Sequence, residues 1–501
     1  MSKNNKGNVF AIVIMFFLFA MIAFVTGLQN PFGIVVKEQF GASNAMSQLG
    51  NAANFIAYAF LGLPAGFILK RRGYKVTALI AVAIGFIGVA ITFLSGIVGQ
   101  FSVYLLGAFV SGFSMCMLNT VVNPMLNTLG GGGNRGNQLI QLGGSLNSLA
   151  ATIVPVLAGY LIAGKVKPTI EDVNPALYIA MAIFALAFVI ILLSRIPEPE
   201  LEAARNNMEN KEAKEGTFTL IKGALSYKNL VFGLIAIFLY VGIEVGIPNT
   251  MNNYLTTKNK VQLAEAIQQN NQALADLQLL EAAAADTTVQ APVIDLAKLY
   301  ETKNVENQEE LKTVLVKENE DAQTKLDDSD YREGLGMATD AAGAIVAIYW
   351  LLMLVGRLVG GAIGGKVSSR AMISIVSSVA MVLIAVGVLI PSAMVKFPSL
   401  DSQTFSFSLV EIPVGVMLFV LCGLCTSVMW GAIFNLAVEG LGKYTSIASG
   451  LFMVMVCGGG ILPLVQGAVV DVAGFMSSYW VLVAALAFIL WFGLSGSRTN
   501  K

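Results

Sequence analysis

The sequence predicts an all-α membrane protein: twelve spanning helices arranged as two halves of six. Three observations carry that expectation. The 501 residues are 56% hydrophobic and only 12% charged, with a mean hydropathy of +0.72, where soluble domains carry about 25% charged residues. Apolar runs of the ~20 residues that cross ~30 Å of hydrocarbon recur along the whole chain. Two long polar stretches, 196–228 and 258–335, break the pattern into six runs, one run and five. A membrane β-barrel would show alternating segments of about 10 residues instead.

Taken in order, apolar runs ending at charges, Gly and Pro place helices near 9–30, 45–69, 75–97, 101–127, 138–163 and 175–195, then near 229–256, 338–364, 370–391, 412–438, 446–470 and 477–496. The first run, VFAIVIMFFLFAMIAFVTGL, follows Lys3 and Lys6 but is too long for the apolar part of a signal peptide. It leads into QNPFG without a small-residue cleavage site, so it is expected to stay as helix 1. With the N-terminus in the cytoplasm, that face receives Lys70, Arg71, Arg72, Lys75, Arg135, Lys366, Arg370, Lys443, Arg498 and the basic residues of 195–228. The short loops of the opposite face receive only Lys37, Lys165, Lys167 and Lys396. Positive charge stays inside, so both termini are expected to be cytoplasmic.

The expected division is an N-terminal bundle at 1–195, a cytoplasmic linker at 196–228, helix 7 at 229–257, an extracytoplasmic insertion at 258–335, and helices 8–12 at 336–501. Within the insertion, VQLAEAIQQNNQALADLQLLEAAAA and QEELKTVLVKENEDAQTKL are helix formers with apolar residues three or four apart. They read as a small helical excursion, a solvated hairpin or a docking element for an unidentified partner. The halves also repeat weakly. Helix 4 ends NPMLNTLG and helix 10 ends NLAVEGLG, with Asn123 and Asn435 each seven residues before a Gly. Helix 5 then carries PVLAG and helix 11 PLVQG. A six-plus-six repeat about a cytoplasmic linker is the plan of major-facilitator transporters, whose substrate sits at mid-membrane between the halves.

Several function classes fall away. A formal net charge of zero suggests no nucleic-acid partner, and the absence of histidine removes the commonest metal ligand and proton shuttle. Cys116, Cys422, Cys425 and Cys457 all lie in apolar runs, so the C-x-x-C at 422–425 reads as packing. GGGGNRGN at 130–137 lacks a terminal G-K-[ST] and follows no strand, so it is a loop and not a phosphate cradle. Nothing combines a nucleophile, a base and an oxyanion donor, so no enzyme is expected. Nor is any cofactor or metal expected beyond a coupling ion.

What remains is polarity inside helices. Gly62 and Gly66 in GLPAG, the glycines of GRLVGGAIGG and those of CGGGILPLVQG put small residues on faces where helices can approach and slide. Amides recur at Gln29, Asn30, Gln48, Asn51, Asn54, Asn119, Asn123, Asn127, Gln141, Asn147, Asn249, Asn252, Asn253 and Asn435. Positions 119, 123 and 127 share one helix face, which must turn away from lipid. Interhelical hydrogen bonding explains one such amide. Amides on at least five helices, with Trp350 and Trp430 to stack on a sugar ring, favour a cavity for a neutral polyhydroxylated solute. Glu244 is the one acid deep in a span, and an ionised side chain there costs several kcal/mol or more unless shielded. Arg357 is the one base well inside a span; its head can snorkel to the cytoplasmic face or pair with a helix end, a structural or gating role.

Four stretches, FLYVGIEVGIPNTMNNYL, GFSMCMLNTVVNPMLNTLG, YAFLGLPAGFILKRRGYK and IFNLAVEGLGKYTSIASGLFMVMVCGGGILPLVQGAVVD, resemble the fucose–galactose–glucose:proton symporter family of the major facilitator superfamily. The resemblance covers all but the termini, the linker and the insertion. It implies the major facilitator fold, a bacterial inner-membrane location and sugar import. The family's helix 7 motif Y-V-G-x-E-V falls on Tyr240 to Val245, and its helix 4 Asn-Pro on Asn123 and Pro124. Its helix 5 Q-x-x-N falls on Gly144 and Asn147: the Asn is kept, the Gln is lost, and Gln141 one turn earlier is a substitute. The Tyr-Pro of helix 10 in the family's fucose permease falls on Trp430 and Gly431. That permease also has an aspartate in helix 1 and a glutamate in helix 4; here the first stretch has no acid before Glu38, and the second position is Asn119. Three couplings therefore stay open: a proton on Glu244 alone, sodium held by Glu244 with nearby carbonyls and amides, or none.

The site expected from all this comprises Asn30, Asn119, Asn123, Gln141, Asn147, Glu244, Asn249, Trp430 and Asn435, with Glu244 also the cation-coupling residue and Arg357, Gly62 and Gly66 in gating or structural roles. A monomer in the lipid bilayer is expected. The rival expectations are an exporter of drugs or other metabolites on the same scaffold, and a transporter-like receptor acting through 258–335.

Overall fold

The structure, a computed structural model, describes residues 3–40, 43–130, 133–162, 169–194, 196–198, 217–285, 290, 292–303, 305–363, 367–390, 393–401, 406–441 and 444–498. Among the described residues, twelve helices are long and apolar enough to cross a membrane. Spans 1–6 are Val9–Gly27, Leu49–Leu69, Arg71–Val98, Phe101–Leu126, Leu142–Ile162 and Ile170–Leu193. Spans 7–12 are Lys228–Thr256, Thr339–Ile363, Ser369–Leu389, Val414–Val438, Gly450–Ala473 and Phe475–Gly496. Most of the linker, 199–216, lies outside the described residues.

The helices break where the local chemistry disfavours the ladder. The first ends at Gly27 and a second runs over Gln29–Phe40; position 31 is proline, which has no N–H to return to position 27. Spans 2 and 3 form one helical run interrupted at Gly73, whose φ of 81° only glycine adopts cheaply. Just past that break the Glu198 carboxylate accepts from the amides of Tyr74 and Lys75 at 2.6 and 2.9 Å, a charge-matched cap for the start of span 3. Lys75 Nζ in turn donates to the Leu192 and Ser194 carbonyls at the end of span 6. Span 10 divides into Val414–Thr426 and Met429–Val438. There the Thr426 hydroxyl donates to the Cys422 carbonyl and that of Ser427 to Leu424, the back-bonding that bends helices.

Between spans 9 and 10 the chain forms a hairpin, β1 Met394–Asp401 and β2 Ser406–Pro413, antiparallel with Lys396 opposite Glu411. The polar stretch after span 7 forms helices Lys260–Ala285, Leu296–Lys303 and Gln308–Asp327. They close on a separate small core of Leu277, Leu311 and Leu315. A nearly buried Lys303–Glu318 ion pair at 2.5 Å, shared with Asn270, fastens it. The unit is tied to the membrane helices at both sides. Leu335, Gly336 and Met337 amides donate to the Tyr254, Thr257 and Leu255 carbonyls at and just past the end of span 7, and Arg332 donates to the Asp471 and Val472 carbonyls at the end of span 11.

One apolar core runs through both halves. The halves meet mainly along two seams, span 2 against span 11 and span 5 against span 8. Exchanging the halves turns each seam into the other, the signature of a parallel internal repeat.

Candidate functional site

Glu244 sits mid-way along span 7 and is not alone. Arg357 of span 8 reaches it with a 3.1 Å ion pair, and the two side chains are only 14% and 12% exposed. The other guanidinium nitrogen donates at 2.6 Å to the Gly144 carbonyl of span 5, in the opposite half. The guanidinium lies over Gly144 itself: a Cβ there would be in van der Waals contact with that nitrogen at 3.4 Å and with the Arg357 Cδ at 3.7 Å. The Tyr349 hydroxyl donates to the Glu244 backbone carbonyl at 3.1 Å and lies 3.1 Å from the Thr426 hydroxyl. Tyr240, one turn before Glu244, lies against the ion pair and meets Trp430 edge-on at 6.3 Å between ring centroids. Two opposite charges, three hydroxyls and an indole thus gather beside the seam.

In the first half, the amides are held by their nitrogens. Asn119 Nδ2 donates to the Tyr58 hydroxyl at 3.0 Å and to the Met115 carbonyl at 3.1 Å. Asn123 Nδ2 donates to the Asn119 backbone carbonyl at 3.0 Å. Asn147 Nδ2 crosses to the Phe19 carbonyl of span 1 at 3.1 Å. Each of these side chains is half-buried. Anchoring the –NH2 leaves the amide oxygen with acceptor capacity, which suits O–H donors.

A second set of amides bonds directly between the halves. Asn249 Nδ2 donates to Gln48 Oε1 at 3.0 Å, Asn51 Nδ2 to the Gly459 carbonyl at 2.8 Å, and Asn253 Nδ2 to the Ser47 hydroxyl at 3.4 Å. These lie toward the membrane end that bears the 260–327 helices. Near the other end a Cβ on Gly62 would come within 2.9 Å of the Val454 backbone nitrogen, so its lack of a side chain sets the approach of spans 2 and 11. Gly66, one turn on, has nothing within 4 Å of such a Cβ.

Of the expected residues, Glu244, Arg357 and Trp430 converge, and Asn119 and Asn123 form one bonded chain. Asn147 stands three positions from Gly144 on span 5. Asn249 is buried in the contact between the halves instead of open to a solute. Asn435 is exposed and shares no hydrogen bond with the others among the described residues. The side chains of Asn30, Gln141 and Asn127 lie outside the described residues. Arg357 does not snorkel: Glu244 and the Gly144 carbonyl together satisfy its head within the membrane. Tyr349 and Thr426 were missed by sequence reasoning, although each is a hydroxyl inside an apolar run, and Tyr240 was named only as part of the helix 7 motif. The lone deep acid and the lone deep base were also not read as partners, the one inference their scarcity supported.

A twelve-span helical protein in two related halves that meet on polar seams has the architecture of a secondary transporter. The chain belongs to the Major Facilitator Superfamily, whose sequence model matches residues 15–266. A glucose/galactose transporter of Brucella abortus is 25% identical over 501 residues, 99% of this chain and 96% of the relative. The L-fucose-proton symporter of Escherichia coli is 23% identical over 257 residues, 46% of this chain and 57% of the relative. The crystal structure of the superfamily transporter FucP in the outward conformation matches with a TM-score of 0.61 at 17% identity, over 98% of this chain and all of that one.

Proposed function

We propose that this protein is an inner-membrane secondary transporter that imports a neutral sugar by alternating access, coupled to a cation at Glu244. The observation that carries the reading is the set of half-buried asparagines at 119, 123 and 147, whose nitrogens are committed to protein partners while their oxygens keep acceptor capacity. In the other half the Glu244–Arg357 pair offers both an acceptor and a donor, and Trp430 an apolar ring face. Vicinal hydroxyls and a weakly polar ring are the complement of that arrangement. The names of the relatives, a glucose/galactose transporter and a fucose symporter, support the same substrate class.

Alternating access asks the two halves to part first at one end and then at the other. The Gln48–Asn249, Asn51–Gly459 and Ser47–Asn253 bonds close one end, and the Gly62–Val454 approach closes the other. Both termini and the 196–228 linker are cytoplasmic in this reading, and the 258–335 unit is extracytoplasmic. A monomer suffices, and no enzymatic step is involved. The test is uptake of a hexose, deoxyhexose and N-acetylhexosamine panel into proteoliposomes, with proton and sodium gradients imposed separately. Uptake of one sugar class, raised by one gradient and lost in Glu244→Gln, is expected. Absence of uptake for every sugar under both gradients contradicts the reading.

A further inference from the structure

The Glu244–Arg357 pair has a third member, and that member belongs to the other half. Arg357 and Glu244 are both in the second six-span half, whereas the Gly144 carbonyl that shares the guanidinium is in the first. The guanidinium packs directly on position 144, where a Cβ would lie in van der Waals contact with it at 3.4 Å. We propose that Arg357 is a positioning residue that ties the charge on Glu244 to closure of the two halves. It does so by holding the Gly144 carbonyl only while the carboxylate is anionic.

With both side chains ionised the pair is neutral, and the guanidinium can remain inside the membrane with one nitrogen to spare for Gly144. When a monovalent cation, a proton or sodium, binds the carboxylate, the site gains one positive charge. A backbone carbonyl is a dipole and cannot neutralise it, and an uncompensated buried charge is strongly unfavourable. The groups around the carboxylate offer no second anion among the described residues: Arg357 and Tyr240 face it, and Tyr349 binds its backbone carbonyl. Arg357 lies six residues before the end of its helix at Ile363, within reach of the aqueous face for a side chain of this length. Moving there breaks its bond to Gly144, and with it a direct link between spans 5 and 8. The cation and Arg357 thus compete for one carboxylate, and the loser's departure loosens the seam.

This inference deepens the transporter reading, but its test needs no sugar. Ser148, one turn beyond Gly144 on the same face of span 5, is fully buried, with its hydroxyl unbonded among the described residues. A Ser148→Cys reporter, in the purified full-length protein, is labelled with N-ethylmaleimide as a measure of seam opening. Glu244→Gln and Arg357→Gln should each raise the labelling rate about tenfold, an ordinary size for coupling between sites. The double variant should be no faster than Arg357→Gln, because both changes remove one link. Without those substitutions, either sodium at fixed pH or acid without sodium should speed labelling, each rate divided by that of Glu244→Gln under the same conditions. Whichever succeeds names the cation. Should Arg357→Gln fail to elute as a single species, the neutral pair Glu244→Gln with Arg357→Gln replaces it, with the same tenfold expectation. A reporter rate in Glu244→Gln or in the neutral pair equal to that of the unaltered pair overturns the proposal, as does insensitivity to both cations. If no sugar is transported yet labelling behaves as expected, the substrate assignment fails and this inference stands.

Discussion

Asn229, at the start of span 7, shows how much a single buried amide holds. Its Nδ2 approaches the Leu436, Ala437 and Glu439 carbonyls at 3.3, 3.1 and 3.0 Å, the acceptors left free where span 10 ends. Asn229→Ala leaves them without a donor in a buried place, a cost of about 1–3 kcal/mol. The expected outcome is a lower thermal-unfolding midpoint for the detergent-purified protein. The glycines of GLPAG make opposite predictions at neighbouring turns. Gly62→Val drives a branched side chain into the Val454 backbone and should cut transport by blocking closure, whereas Gly66→Ala enters open space and should not. Sequence alone treated the two alike, because both are small residues on one helix. What separates them is span 11, nearly four hundred positions away.

Among elements, the 260–327 unit is the one whose fold can be tested by itself. Its core is three leucines, Leu277, Leu311 and Leu315, all fully buried. Leu311→Ala should cost about 2–5 kcal/mol there, and so small a core has little margin. Limited proteolysis should then cut between 260 and 327 while the spans stay intact. The spans themselves were legible because an apolar run of the right length has one common fate in lipid. The helical character of the insertion was legible from its spacing of apolar residues. The strand pair at 394–401 and 406–413 was not anticipated, although SFSL at 406–409 alternates in the manner of a strand. The break inside span 10 was equally hidden, since it comes from hydroxyls at 426 and 427 and not from proline.

For the whole molecule, the distribution of lysine and arginine predicts the orientation, and the repeat sets how the halves meet. Ala282 is exposed on the helix Lys260–Ala285, so Ala282→Cys should react with a membrane-impermeant maleimide added outside intact cells. Labelling only after the membrane is opened would reverse the topology. The candidate site was only partly legible. Glu244 and Arg357 each stood out as a charge inside an apolar run, yet they are 113 positions apart and nothing in one sequence joins them. The Gly144 and Gly459 carbonyls that bridge the halves carry no side-chain signal at all. Asn249, expected among the sugar ligands, donates to Gln48 of the other half, because an amide bonds another amide as readily as a hydroxyl.

The most direct measurement is counterflow of a labelled sugar into proteoliposomes preloaded with the same sugar, for the unaltered protein, Asn123→Ala and Trp430→Ala. The account predicts rapid accumulation in the first. In both variants, present in the membrane in equal amount, it predicts a loss of about tenfold or more, the size of one missing contact of ~1.4 kcal/mol. Equal counterflow in all three would show that the solute passes without touching these residues, and would contradict the account.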